Sequence, residues 1–219
     1  MDKQYCMDWP ALTAAQPALA QIPPQLKILA ERWEIDKGQI LFRIGDRIHS
    51  VFSIISGEVR LIRRDRGGSE VVLQRSRGGF FAEASLDSKV YHCDVVATEK
   101  GSVLRFPVQA FRAALDADSD FRNAWMIHLA REVRKLRAQC ERLSLRSAAD
   151  RVFHYIESEG SDGIITLNQS RKAWAAELGL THEALYRTLS RLQTNGTLDI
   201  TGDRFAIVQA DPAHQLQSV

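Results

Sequence analysis

Between Trp33 and Phe111 the apolar residues come in short runs, many of them β-branched, and each run is cut off by turn residues. The runs are Gln39 to Phe42, Val51 to Ile55, Glu58 to Ile62, Val71 to Gln74, Asp94 to Ala97 and Val103 to Phe106. The cuts are Gly38, Gly45-Asp46, Ser56-Gly57, the Arg66-Gly67-Gly68 tip, Gly78-Gly79 and Gly101. Such spacing predicts short strands closed into an antiparallel sandwich or roll.

From Phe121 to about Leu145 there is no Gly or Pro, and the period changes. Met126, Leu129, Val133, Leu136, Cys140 and Leu143 follow at steps of three, four, three, four and three, flanked by Arg131, Glu132, Arg134, Lys135, Arg137, Glu141 and Arg142. That is the a/d seam of a coiled coil. A helix resting only on its own domain would carry a wider apolar stripe, so the narrow seam predicts a homodimer.

The remainder reads as helix, short strand, two helices and a hairpin. Ala148 to Glu157 is periodic and stops at Glu159-Gly160, and Ile164 to Leu167 is a brief strand. Ser170 is placed to cap a helix through Leu178, Gly179 breaks it, and Thr181 caps a second helix that closes at Asn195-Gly196. Two helices joined by a short Gly-containing turn predict a helix-turn-helix. Thr197 to Ile200 and Arg204 to Val208, around Thr201-Gly202-Asp203, form a hairpin wing. The expected fold class is α+β: an antiparallel β-roll in residues 1–120, a dimerisation helix in 121–146 and a winged helix-turn-helix in 147–219.

Composition changes this picture little. With 29 basic and 27 acidic residues in 219, the formal charge of +2 carries no global nucleic-acid signature, so any DNA-binding surface must be local. The first ten residues lack an apolar core and no later run reaches membrane-spanning length, which predicts a cytoplasmic protein. Cys6, Cys93 and Cys140 are odd in number and far apart, against a disulfide framework or a CxxC metal knuckle. His49, His92, His128, His154, His182 and His214 are scattered, without the His-x-His of cupin-like metalloenzymes, and no nucleophile elbow or phosphate-binding glycine loop appears. No enzyme is expected, no metal site, and no cofactor is assigned.

In this order, the parts resemble the Crp/Fnr family, the cyclic-AMP receptor and anaerobic regulator proteins. The resemblance covers nearly the whole chain after Gln25. It rests on Lys37-Gly38 through Arg43-Ile44-Gly45-Asp46, on Ile55-Ser56-Gly57-Glu58-Val59, on Gly79-Phe80-Phe81-Ala82-Glu83-Ala84-Ser85-Leu86, and on Ala176 through Arg187. It implies a parallel dimer along the long helix, a β-roll with the fold of a cyclic-nucleotide-binding domain that senses a signal, and binding of double-stranded DNA at inverted repeats, with RNA polymerase as a partner for an activator.

Glu183 and Arg187 are four apart and project from one helix face near its N-terminal end. A carboxylate accepts from cytosine N4 and a guanidinium forks onto guanine O6 and N7, so the pair suits a G·C step. The resemblance assigns base contact to both. The cyclic-AMP branch carries an arginine just before the glutamate, where this chain has His182, a weaker guanine reader. Ser170, Arg171, Lys172, Thr181 and Arg191 are candidates for phosphate contacts, while Trp174, Leu185, Leu189 and Leu192 fall at core spacing.

The effector site departs from the family. Glu83 stands where the cyclic-nucleotide branch meets the ribose, or serves as an acceptor for backbone N–H groups. The Arg-Ser pair that holds the phosphate aligns with His92-Cys93, and the purine contacts with Leu136 and Arg137. Loss of the guanidinium fork argues against a cyclic-AMP sensor. Cys6 alone cannot ligate an iron-sulfur cluster. Cys93 in the grip and Cys140 in the seam are candidates for a thiol or metal signal, set against the plainer reading that both are small buried hydrophobes. A second function keeps the fold as a haem- or ligand-binding signalling module without sequence-specific DNA binding, using His92, Cys93 or His49. Glu183 and Arg187 speak against it.

Overall fold

The structure, a computed structural model, describes residues 7–208 apart from residue 69, so Cys6 and His214 lie outside the described residues. The chain divides into two compact units, one ending at Leu129 and the other starting at Ala130.

The first unit holds α1 (Trp9–Ala15), α2 (Pro24–Ile28), β1 (Glu31–Ile35), β2 (Ile40–Phe42), β3 (Ser50–Ser56), β4 (Val59–Arg64), β5 (Glu70–Ser76), β6 (Gly79–Phe81), β7 (Asp94–Ala97), β8 (Gly101–Pro107), α3 (Val108–Ala117) and the start of α4 (Ser119–Ser144). Two antiparallel four-stranded sheets, ordered β1-β8-β3-β6 and β2-β7-β4-β5, form the roll. Strands β3 and β8 are buried on both faces, which is why they read as near-continuous apolar runs. Phe52, Ile54 and Val103 face the core inside the roll with Phe42, Phe81, Tyr91 and Val95. Val51, Leu104 and Phe106 face a second core with Phe80, Phe111, Phe121 and Trp125. At one end two turns back onto each other so closely that a Cβ on Gly101 would stand 2.0 Å from the Ser56 carbonyl, so no larger residue fits.

Strands β1 and β6 and the helices α1, α2 and α3 are additions to the sequence expectation. Both strands lie at sheet edges, where β1 keeps only Ile35 buried and so carries no apolar run. Helix α1 is announced by Asp8, whose carboxylate caps it by accepting from the Ala11 N–H at 3.0 Å, rather than by hydrophobic period. The long helix begins two residues earlier than expected, with the Asp118 carboxylate accepting the Phe121 N–H at 2.9 Å.

The second unit continues α4 and adds α5 (Ala148–Glu159), β9 (Ile164–Thr166), α6 (Arg171–Glu177), α7 (His182–Thr194), β10 (Leu198–Thr201) and β11 (Arg204–Ile207), with strand order β10-β11-β9. Its core joins Val152 and Ile156 of α5 to Trp174, Leu178, Leu185, Leu189, Leu192 and Phe205. Arg142, expected as a solvated flank of the seam, is fully buried instead. Its Nη2 donates to Ser158 Oγ and Glu159 Oε1, both at 3.0 Å, and its guanidinium covers the Tyr155 ring at 4.5 Å.

Candidate nucleic-acid interface

Local sequence places α6 and α7 as expected. The Ser170 hydroxyl accepts the Ala173 N–H at 3.2 Å and the Thr181 hydroxyl accepts the Ala184 N–H at 3.1 Å, so both helices start on side-chain caps. Between them Gly179 takes a φ of +64°, a left-handed turn favoured by glycine. Leu185, Thr188, Leu189 and Leu192 bury one face of α7, which leaves Glu183, Tyr186, Arg187, Ser190, Arg191 and Thr194 outward. Tyr186, Arg187, Ser190, Arg191, Thr194 and Asn195 line a shallow groove along that face. Glu183 is ionised: its own backbone N–H, then the Thr181 hydroxyl, hold the carboxyl below the ordinary value.

The expected phosphate contacts fall into two groups. Ser170, Lys172, Thr181 and Arg191 are exposed. Arg171 is engaged within the protein: it donates to the Gly202 carbonyl at 3.0 Å, and its guanidinium lies 5.5 Å from the centroids of both Tyr186 and Phe205. It therefore pins the wing between β10 and β11 to the helix pair, a role its spacing did not announce. His182 is exposed with its ring 4.5 Å from Tyr186, one turn further along α7. Tyr186 itself went unmarked among candidate readers, although its position three residues after Glu183 signals it.

On the dimer seam, Met126, Val133, Leu136, Cys140 and Leu143 are exposed in the single chain, whereas Leu129 leans on the aromatic core of the first unit. Apolar residues exposed at heptad spacing are what an unpaired coiled-coil face presents.

In the roll, Glu83 opens a short turn after Ala82, which adopts a left-handed φ of +68°. His92 Nδ1 lies 2.8 Å from Ser85 Oγ, and Arg63 Nε donates to the His92 carbonyl at 2.7 Å. Burial, then the Arg63 charge, lower the His92 pKa and keep the ring neutral near pH 7. Cys93 is buried at 1% exposure in the roll core, and burial pushes its thiol up to about 11. A reactive cysteine needs exposure and a stabilised thiolate, so Cys93 is a packing residue and the thiol signal assigned to it is set aside. Nearby, Phe42 and Tyr91 stack at 3.7 Å, and the Tyr91 hydroxyl is tied to Ser50. These residues do not fit a cyclic nucleotide, since neither a neutral His92 nor a protonated Cys93 offers the charge that a cyclic phosphate needs. His49 stands 6.0 Å from the Tyr91 ring, edge-on, as a packing partner. Cys140 is exposed on α4. Among the described residues no group of three or more His, Cys, Asp or Glu side chains is arranged to hold a metal ion.

Comparison with known proteins bears on this arrangement. A family model described as the cyclic nucleotide-binding domain matches residues 32–118. The transcriptional activator protein FnrA of Stutzerimonas stutzeri is 27% identical over 190 residues, covering 80% of this chain and 76% of that protein. The fumarate and nitrate reduction regulatory protein of Escherichia coli (strain K12) is 24% identical over 198 residues, covering 86% of this chain and 79% of that protein. Over most of its length the chain is similar to transcription regulators of the Crp/Fnr family. FixK2 from Bradyrhizobium japonicum shares the fold of this chain with a TM-score of 0.64 and 22% identity, over 87% of this chain and 98% of that one.

Proposed function

We propose that two copies of this regulator pair in parallel along α4 and present their α7 helices to the major groove at the two halves of an inverted repeat. Glu183 and Arg187 read a G·C pair in each half, while Ser170, Lys172, Thr181 and Arg191 hold phosphates and fix the register. The observation that carries this reading is the polarity of α7, with Leu185, Leu189 and Leu192 buried and the ionised Glu183 exposed on the same outward face as Arg187. The same exposure disfavours a signalling module that has lost its readers. A regulator of this kind acts in the cytoplasm, without enzymatic activity, and contacts RNA polymerase where it activates. The roll communicates a signal other than cyclic AMP.

Arg187→Ala is expected to cost on the order of 1 to 3 kcal/mol at one guanine per half-site and to relax preference there. Lys172→Ala is expected to weaken all sequences alike and to flatten the salt dependence. Binding titrations on matched and mutated duplexes at two salt concentrations separate the two. Uniform loss in both variants would make Arg187 a phosphate contact.

A further inference from the structure

Helix α4 enters the second unit without an apolar anchor. Among the described residues, Arg142 is the one side chain that α4 buries beyond Leu129 in the single chain, and the core around Val152, Ile156 and Trp174 includes nothing from α4. Directional contacts join α4 to α5 instead. Arg142 donates from Nη2 to Ser158 Oγ and Glu159 Oε1, both at 3.0 Å, and lies over the Tyr155 ring at 4.5 Å, while Glu141 Oε2 stands 3.3 Å from His154 Nε2. From the α5 side, Arg151 Nε donates to the Leu145 carbonyl at 3.0 Å and its Nη1 reaches the Leu178 and Gly179 carbonyls, both at 3.2 Å. Apolar packing is non-directional, whereas a planar guanidinium seated on two acceptors and a ring fixes an angle.

We propose that Arg142 is a positioning residue for DNA recognition: it sets the angle between α4 and α5, and with it the separation and phase of the two α7 helices in the dimer. The proposal rests on the reading that two copies pair along α4 and bind an inverted repeat. The angle is passed on because Val152 and Ile156 of α5 share one core with Leu185 and Leu189 of α7. A buried ion adds little to folding stability beside a well-packed apolar side chain, so Arg142 serves geometry first. One base pair more or less between half-sites turns one half by about 35° and moves it by about 3.4 Å relative to the other. A dimer with fixed heads accepts one spacing, and a dimer with loosened heads accepts several.

The test uses full-length protein and the duplex it selects from random DNA, resynthesised with one central base pair inserted or deleted. Either change is expected to weaken the parent roughly tenfold, the worth of about one lost base contact. Arg142→Met, whose unbranched side chain follows the arginine stem, is expected to lose most of that penalty while keeping the dimer, the melting temperature and the guanine preference that depends on Arg187. Should Arg142→Met fail to fold, Arg142→Met with Glu159→Gln, which leaves no unmatched carboxylate, takes its place with the same expectation. A spacing penalty as steep as the parent's in the folded variant, or a parent indifferent to spacing, would overturn the proposal. So would loss of folding in both variants, which would make Arg142 a stability residue. If the parent selects no inverted repeat, the underlying reading fails instead.

Discussion

Glu58 sits at the turn into β4 with its side chain buried and its carboxylate shared among Thr98 Oγ1 at 2.6 Å, Arg77 Nε at 2.9 Å and Arg75 Nη1 at 3.1 Å. Burial alone pushes the carboxyl up, but the Thr98 and Arg77 hydrogen bonds and the two arginine charges outweigh it and leave it below its ordinary value of 4.5. A carboxyl depressed in the folded state adds stability above its unfolded value and loses it as pH falls through the folded one. Urea unfolding should therefore find Glu58→Gln less stable than the parent at pH 7, with the gap closing below about pH 4. A gap that does not change with pH would remove this ion cluster from the stability of the roll. Cys93 gives a second check at this scale. With a thiol at about 11 and 1% exposure, it should resist iodoacetamide at neutral pH until the protein is unfolded, while Cys140 of an isolated chain is open to the reagent. Labelling of Cys93 in native protein would restore it as a candidate sensor.

Among the elements, α7 and the inner strands, which bury a face, were legible from the sequence, whereas α3, which buries Val108, Phe111 and Ala114, was not. The caps Ser170 and Thr181, the break at Gly179 and the buried leucines of α7 follow directly from spacing and turn chemistry, and so do the strands β3, β4, β5, β7 and β8 to within two residues. The edge strands β1 and β6 were not, because an edge strand with one half-covered face has no strong alternation to read. Pairings across sequence were equally hidden: Arg171 with Gly202, Arg142 with Glu159 and His92 with Ser85 join elements whose adjacency only the fold supplies. Helix α4 carries the element-scale prediction. Its seam leaves Met126, Val133, Leu136 and Leu143 exposed in one chain, so Leu136→Asp, which sets two carboxylates against each other in an apolar seam, should give monomers with little DNA affinity. Sedimentation that finds an intact dimer in this variant would move the interface elsewhere.

For the whole molecule, near-balanced charge and local function go together. A formal charge of +2 spread over 219 residues gives no general pull toward DNA, so affinity would have to come from the basic side chains exposed on α6 and α7. One copy brings a single recognition helix, and the seam on α4 is what would bring a second under two-fold symmetry. Selection of bound duplexes from random DNA by the full-length protein tests this most directly. The account predicts enrichment of two inverted half-sites, each with a G·C pair whose selection disappears in Arg187→Ala, and with centres about 34 Å or a multiple of it apart. Enrichment of no sequence, or of a single site without an inverted copy, would contradict it.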